Sequence, residues 1–229
     1  MGIEWYDMIA RRNGGYKNRA VCTVVGRSAE DVFEERLIQM LPKFHSVMDA
    51  GCGHGEFTLR MSAHTTSIKG FDNSHELITI AQNLLQDSQV EHVEFVYATT
   101  KSELPFLDGQ FDLIYDRRGP TSVINHSRVL KSGGTIIGIH GNVDLVKERL
   151  VKNGFLDIEI EEYNEAITYF PTREQFVIFL SDGPGSPDYT KVEHQPELDM
   201  LFSELALQGR LVGELGIREQ KYIWQARKP

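Results

Sequence analysis

Val47-Met-Asp-Ala-Gly-Cys-Gly-His-Gly-Glu-Phe57 decides the fold. An apolar run enters a tight cluster, Asp49-x-Gly51-x-Gly53-x-Gly55, and leaves it into a segment with helical spacing, so strand, glycine turn and helix follow one another directly. A chain that turns this sharply needs permissive dihedrals, and a ligand can touch backbone only where no Cβ intervenes. The carboxyl end of a strand is also where open α/β sheets bind their ligands.

Outward from that loop, strand-like and helix-like segments take turns. Ser46–Ala50 is followed by Ile68–Phe71, a helix over Ser74–Asp87, Val93–Tyr97, Phe111–Tyr115, a helix over Val123–Leu130, the turn Lys131-Ser-Gly-Gly134 and Thr135–His140. A helix over Val143–Asn153, a strand Leu156–Glu161 and a closing strand Gln220–Ala226 complete the rhythm. Before the loop, Ser28 with Asp31 three positions on signals a helix start that runs to Leu41 and stops at Pro42. The first thirty residues, with Gly14-Gly15 and Gly26, read as an irregular lead or cap. The rhythm breaks in residues 170–196, where Pro171, Pro184, Pro187 and Pro196 bracket a helix near Thr172–Leu180 and a long loop, before a further helix over Glu197–Gln208. Alternation of this kind predicts βαβ units with right-handed crossovers and a mostly parallel sheet. A single domain over residues 1–229 is expected, with a helical lead at 1–45, a core at 46–162 and C-terminal helices, loop insertion and closing strand at 163–229.

Composition narrows the function classes. Lys+Arg number 24 against 33 Asp+Glu, and a net charge of -9 disfavours broad attraction to phosphate backbones. Cys22 and Cys52 are the only cysteines and form no CxxC pair, so neither a disulfide framework nor a metal site is expected. No stretch approaches the ~20 apolar residues of a membrane span, and the start of the chain lacks an apolar leader core. A soluble, cytoplasmic protein with no membrane partner is the expectation.

A dinucleotide fingerprint would place its third glycine at position 56, where this chain has Glu56, which makes a nicotinamide cofactor the weaker reading. Asp72, about 20 residues beyond the glycines at the end of the next strand, stands where a carboxylate accepts ribose hydroxyls. Together with Leu104-Pro-Phe-Leu-Asp-Gly-Gln-Phe-Asp-Leu-Ile-Tyr115 and Arg128-Val-Leu-Lys-Ser-Gly-Gly134, these stretches resemble, in order and spacing, the class I methyltransferases that use S-adenosylmethionine (SAM), of the methyltransferase type 11 or UbiE-like kind. The resemblance spans residues 47–134. It implies a doubly wound three-layer α/β/α sandwich with a seven-stranded, mostly parallel sheet whose last strand is antiparallel. It further implies SAM as cofactor and S-adenosylhomocysteine as product. Asp49, Gly51, Cys52, Gly53 and Gly55 would then hold the methionine part of SAM, Asp72 the ribose, and Asn73 the adenine edge. The acid that the family usually places after its third strand is missing from Tyr97-Ala-Thr-Thr100, which leaves Thr99 or Thr100 to contact adenine.

Methyl transfer from a sulfonium needs an acceptor held in line and, where that acceptor carries a proton, a base. Residues at the carboxyl ends of the central strands are the candidates: Asp116, which also stands where the family contacts SAM, then Arg117, Arg118 and His140. The two arginines suit an acidic or phosphorylated substrate. Charged residues after a strand are equally often solvated, and a lone histidine is more often a hydrogen-bonded structural residue than a base. A small-molecule methyl acceptor is expected. The alternatives are an RNA base methyltransferase using Arg117, Arg118 and the basic lead, and a non-catalytic SAM-binding protein.

Overall fold

The structure, a computed structural model, describes residues 3–229. In chain order its elements are α1 (Ile3–Asn13), β1 (Thr23–Val25), α2 (Ala29–Met40), β2 (Val47–Ala50), α3 (Glu56–Ser62), β3 (Ile68–Asp72), α4 (His75–Ser88), β4 (Val93–Tyr97), β5 (Phe111–Arg117) and β6 (Leu130–His140). They continue with α5 (Asp144–Lys152), β7 (Leu156–Tyr163), β8 (Ile167–Tyr169), α6 (Arg173–Ser181), α7 (Gln195–Leu207), β9 (Leu211–Val212), β10 (Gly216–Arg218) and β11 (Lys221–Arg227).

Seven strands form one sheet in the order β4-β3-β2-β5-β6-β11-β7, parallel except for β11, which runs antiparallel to both neighbours. Alternate residues of the inner strands face opposite layers. Val47, Ile68, Leu113 and Ile137 pack with Phe33 and Leu37 of α2, Met61 of α3 and Ile78 of α4. Met48, Phe71, Ile114 and Ile136 pack with Val123 and Ile124 and with Val146 and Leu150 of α5. Both faces are therefore covered, which is why these strands read as continuous apolar runs. The chain builds outward from β2 through β3 and β4, then returns to β5 on the other side of β2. The order reverses there, and the crevice outside the carboxyl ends of β2 and β5 is where this topology places ligands.

Four departures from the sequence reading have local causes. The lead contains a helix, α1, whose Ile9 and Ala10 are buried; its Asp7 accepts from Ser74 Oγ at 2.5 Å, and its Arg11 pairs with Glu76. Thr121–Val129 is 3-10 rather than α-helical and kinks at His126, whose Nε2 lies 3.1 Å from Thr100 O. The Lys131–Gly134 turn is instead a bulge inside β6, between the pairs Phe111 with Leu130 and Leu113 with Thr135. Finally, β1, β8, β10 and β9 form a second, antiparallel sheet. A separate apolar cluster accompanies it, including Phe170, Phe176, Leu180, Leu198, Leu205 and Ile217.

The helix start at Ser28 is built as its spacing predicts: Ser28 Oγ accepts from Asp31 N at 3.2 Å and Asp31 Oδ2 accepts from Ser28 N at 3.0 Å. Ser28→Ala should lower stability by about 1 kcal/mol, measured as a shift in urea midpoint at unchanged slope.

Candidate active site

Two cavities open at the crevice. The smaller, about 110 Å³, is lined by Asp72, Asn73 and Thr99 among polar groups and by Phe71, Leu77, Ala98 and Pro120 among apolar ones. The larger, about 750 Å³, runs from Asp49, Cys52 and His54 to Phe179, Leu201, Leu205 and Ile217 on the second sheet and its helices. Tyr16, Gly51, Gly53, Arg117 and Arg118 line both.

Gly53 adopts φ +58°, and a Cβ there would meet nothing nearer than Tyr16 Cβ at 3.8 Å; the bare backbone faces open space. Gly55 faces inward instead: a Cβ on it would strike Phe95 at 2.7 Å and Ala81 at 2.8 Å, so it serves helix packing. Across the crevice the loop after β5 passes so close that a Cβ on Gly119 would lie 2.0 Å from Ala50 O. The two loops are thus locked together at the point where the strand order reverses.

Asp49, only 2% exposed, accepts through Oδ2 from Thr58 Oγ1 at 2.6 Å and Tyr115 OH at 2.8 Å. Burial, opposed by those two hydrogen bonds and by Arg117, pushes its carboxyl up to about 7. Asp72 accepts from Gly53 N at 3.0 Å and Ser74 N at 2.9 Å, so it braces the glycine loop while lining the small cavity, and burial raises its pKa.

These features coincide with the comparisons. Residues 47–134 match the family model described as a methyltransferase domain. Over this stretch the chain resembles the class I SAM-dependent methyltransferase superfamily. It is 33% identical over 100 residues to the uncharacterized methyltransferase YcgJ of Bacillus subtilis, an alignment covering 41% of this chain and 39% of YcgJ. The matched stretch spans less than half the length of the curated relatives. A functionally unknown protein from Deinococcus radiodurans R1 superposes over 99% of this chain and 100% of its own, with TM-score 0.68 and 26% identity. The fold is shared with phosphoethanolamine N-methyltransferase 2 of Haemonchus contortus, solved with S-adenosyl-L-methionine, at TM-score 0.56 and 15% identity over 98% of this chain and 60% of that one.

Among the methyltransferase candidates named from sequence, Asp49, Gly51, Cys52, Gly53, Asp72, Asn73 and Thr99 line one or both cavities. Arg117 and Arg118 do as well, held by Glu30 of α2 at 2.8 and 3.2 Å. Lys221 is a third cation on the same carboxylate; burial resists its charge, but the three cations bring Glu30 down to about 2. Asp116 and His140 sit behind the cavity walls. Asp116 Oδ1 accepts from Gly119 N at 2.6 Å, and His140 Nε2 lies 3.1 Å from Gly119 O and 3.4 Å from Asp116 Oδ1. Burial opposes charge on His140 and Asp116 favours it, with a net upward pull. However, the indole N–H of Trp224 donates to His140 Nδ1 at 3.0 Å, and a second ring proton would break that bond. With Nδ1 accepting from Trp224, Nε2 is the nitrogen that donates to Gly119 O and pins the loop carrying it.

Further lining residues, outside the candidate set above, come from the lead and the far wall. Tyr16 reaches the junction because its N–H donates to His54 Nδ1 at 3.2 Å and α1 packs against α4. Its ring sits edge-on to those of Trp5 and Tyr6, and Tyr6, also lining the small cavity, has its hydroxyl pushed up to about 12 by burial. Asp182, its side chain 1% exposed, accepts from Arg12 at 2.5 Å and from Arg19 at 3.0 Å, which ties the lead to the far wall.

The acid Asp49 has a folded pKa above its unfolded value near 3.9, so the folded state holds the extra proton between the two. Its contribution to stability is complete below about pH 4 and falls away as pH rises to about 7. The urea midpoint of the parent should therefore decline over that interval relative to Asp49→Asn, which lacks the titration. Gly119→Ala should cost about 1–3 kcal/mol or more by the same measurement, because Ala50 O cannot yield 1 Å without moving β2.

Proposed function

We propose that the protein transfers the methyl group of SAM to a small-molecule acceptor, with the donor lying across the junction of the two cavities and the acceptor in the larger one. The observation that carries this reading is the bare Gly53 backbone at that junction, flanked by a carboxylate on each side, part-buried Asp72 toward the small cavity and buried Asp49 toward the large one. The residues fit the cofactor's parts. Phe71, Leu77, Ala98 and Pro120 offer apolar faces to adenine, with Asn73 and Thr99 at its edge and Asp72 toward the ribose. Asp49, Gly51, Cys52 and Gly53 would take the aminoacyl end. Bound there, SAM supplies an electrophilic methyl group on a sulfonium, which an acceptor atom displaces in line.

Asp49 then has a definite electrostatic task. Its carboxyl is kept near neutral by burial, and an ammonium group beside it would supply the counter-charge it lacks. Tyr115 and Thr58 hold the carboxylate in place by donating to one oxygen. Asp116 and His140, through Gly119, act as positioning residues that hold the β5 loop against the glycine loop. The volume of the larger cavity lies in the range that encloses small molecules, with walls from the second sheet and its helices.

Calorimetric titration with S-adenosylhomocysteine tests the reading without knowledge of the acceptor. Binding should be lost or weakened at least about tenfold in Asp72→Ala, which removes a carboxylate's hydrogen bonds. Binding to the parent should also release a fraction of a proton near pH 7 and weaken about tenfold from pH 8 to pH 6 as Asp49 protonates. Asp49→Asn should show neither effect. Absence of binding by the folded parent overturns the proposal.

A further inference from the structure

Arg210 is the cavity cation that the fold leaves without a counter-charge. Its position is fixed by backbone: its N–H donates to Leu205 O at 2.9 Å, and its carbonyl accepts from Arg218 N at 2.7 Å where β9 and β10 come together. Nε donates to Arg218 O at 3.3 Å, which uses one of the five guanidinium N–H groups. Among the described residues no carboxylate pairs with it, and burial is the sole influence on its pKa, pulling it down. It lines the large cavity beside the apolar side chains of Leu201, Leu205 and Ile217.

The other cations of this cavity are all committed to acids. Lys17 pairs with Glu56 and Arg60 with Glu34, while Asp182 takes Arg12 and Arg19. Arg117 and Arg118 share the single carboxylate of Glu30 with Lys221, so that cluster carries more positive than negative charge. Arg118 is further held at φ +65°, a left-handed backbone that costs an arginine energy, with its guanidinium over the Tyr16 ring at the cavity junction. A positive wall stands out in a chain whose net charge is -9. A half-buried guanidinium with free N–H groups matches the paired oxygens of a carboxylate or phosphate, and a surplus of cations beside it favours an anion's entry.

We propose that the large cavity binds an anionic acceptor, a small molecule whose carboxylate or phosphate pairs with Arg210 while its apolar body rests on Leu201, Leu205 and Ile217. The word acceptor rests on the methyltransferase reading above; the anion site does not. The competing role for Arg210 is to cover the β9–β10 hairpin with its aliphatic stem. That role predicts no ligand selectivity.

The test titrates the full chain at constant ionic strength with benzoate, phenyl phosphate and the neutral benzyl alcohol, and separately with S-adenosylhomocysteine. The parent, Arg210→Gln and a surface control, Arg227→Gln, are compared. At least one anion should bind the parent about tenfold or more tightly than benzyl alcohol. Arg210→Gln should abolish that preference without changing affinity for S-adenosylhomocysteine, and Arg227→Gln should change neither. The stronger of the two anions identifies the group that the site prefers. Equal binding of all three probes by the parent, or an undiminished preference in Arg210→Gln, overturns the inference. Should Arg210→Gln fail to fold, the comparison of anions with benzyl alcohol in the parent still decides. Anion binding without S-adenosylhomocysteine binding would defeat the methyltransferase reading and leave the anion site standing.

Discussion

A carboxylate taken out of water must find donors or a counter-charge, or give up its own charge, and Asp49 shows all of these pressures at once. It sits at the end of the strand that feeds the glycine loop, joined through Thr58 to α3 and through Tyr115 to β5. Three elements of the core therefore converge on one oxygen, and the loop geometry follows from them. The close passage of Gly119 over Ala50 O completes the arrangement from the other side of the crevice, backed by Asp116, His140 and Trp224. Side chains that look chemical in the sequence are here the frame on which the cavity is hung.

The electrostatics of the large cavity have two unfinished ends. Asp49 is an acid held near neutral by burial, and Arg210 is a cation without an acid. Between them lie ion pairs that are already complete, such as Lys17 with Glu56 and Arg12 with Asp182. A buried group left unpaired costs stability, so such groups are informative about what the site receives. A ligand pair with a cationic donor end and an anionic acceptor end would balance both.

Much of the core was legible because it obeys simple periods. The apolar runs of the buried strands and the order of strand and helix predicted βαβ units in a mostly parallel sheet, the capping box marked the start of α2, and the family resemblance implied the antiparallel closing strand. The candidates that line the two cavities were legible because a glycine loop and an acid at the next strand end are local patterns. What escaped was non-local. The lead holds the helix α1, but the α4 surface it packs on lies far along the chain, so nothing local showed where its apolar face would go. The second sheet is made of strands two or three residues long, too short to show alternation. Arg210 carries no motif at all; only the hairpin brings it to a cavity whose opposite wall lies far away in sequence. The kink in the 3-10 segment Thr121–Val129 likewise coincides with a contact of His126 with Thr100 that no local spacing reveals.

The central claim is that the two cavities are halves of one site joined at the glycine loop. A crystal structure with S-adenosylhomocysteine tests it most directly. The account predicts adenosine in the small cavity against Asp72, the aminoacyl end beside Asp49, and the sulfur facing the large cavity toward Arg210. A ligand bound elsewhere, or one whose sulfur faces away from the large cavity, would contradict it.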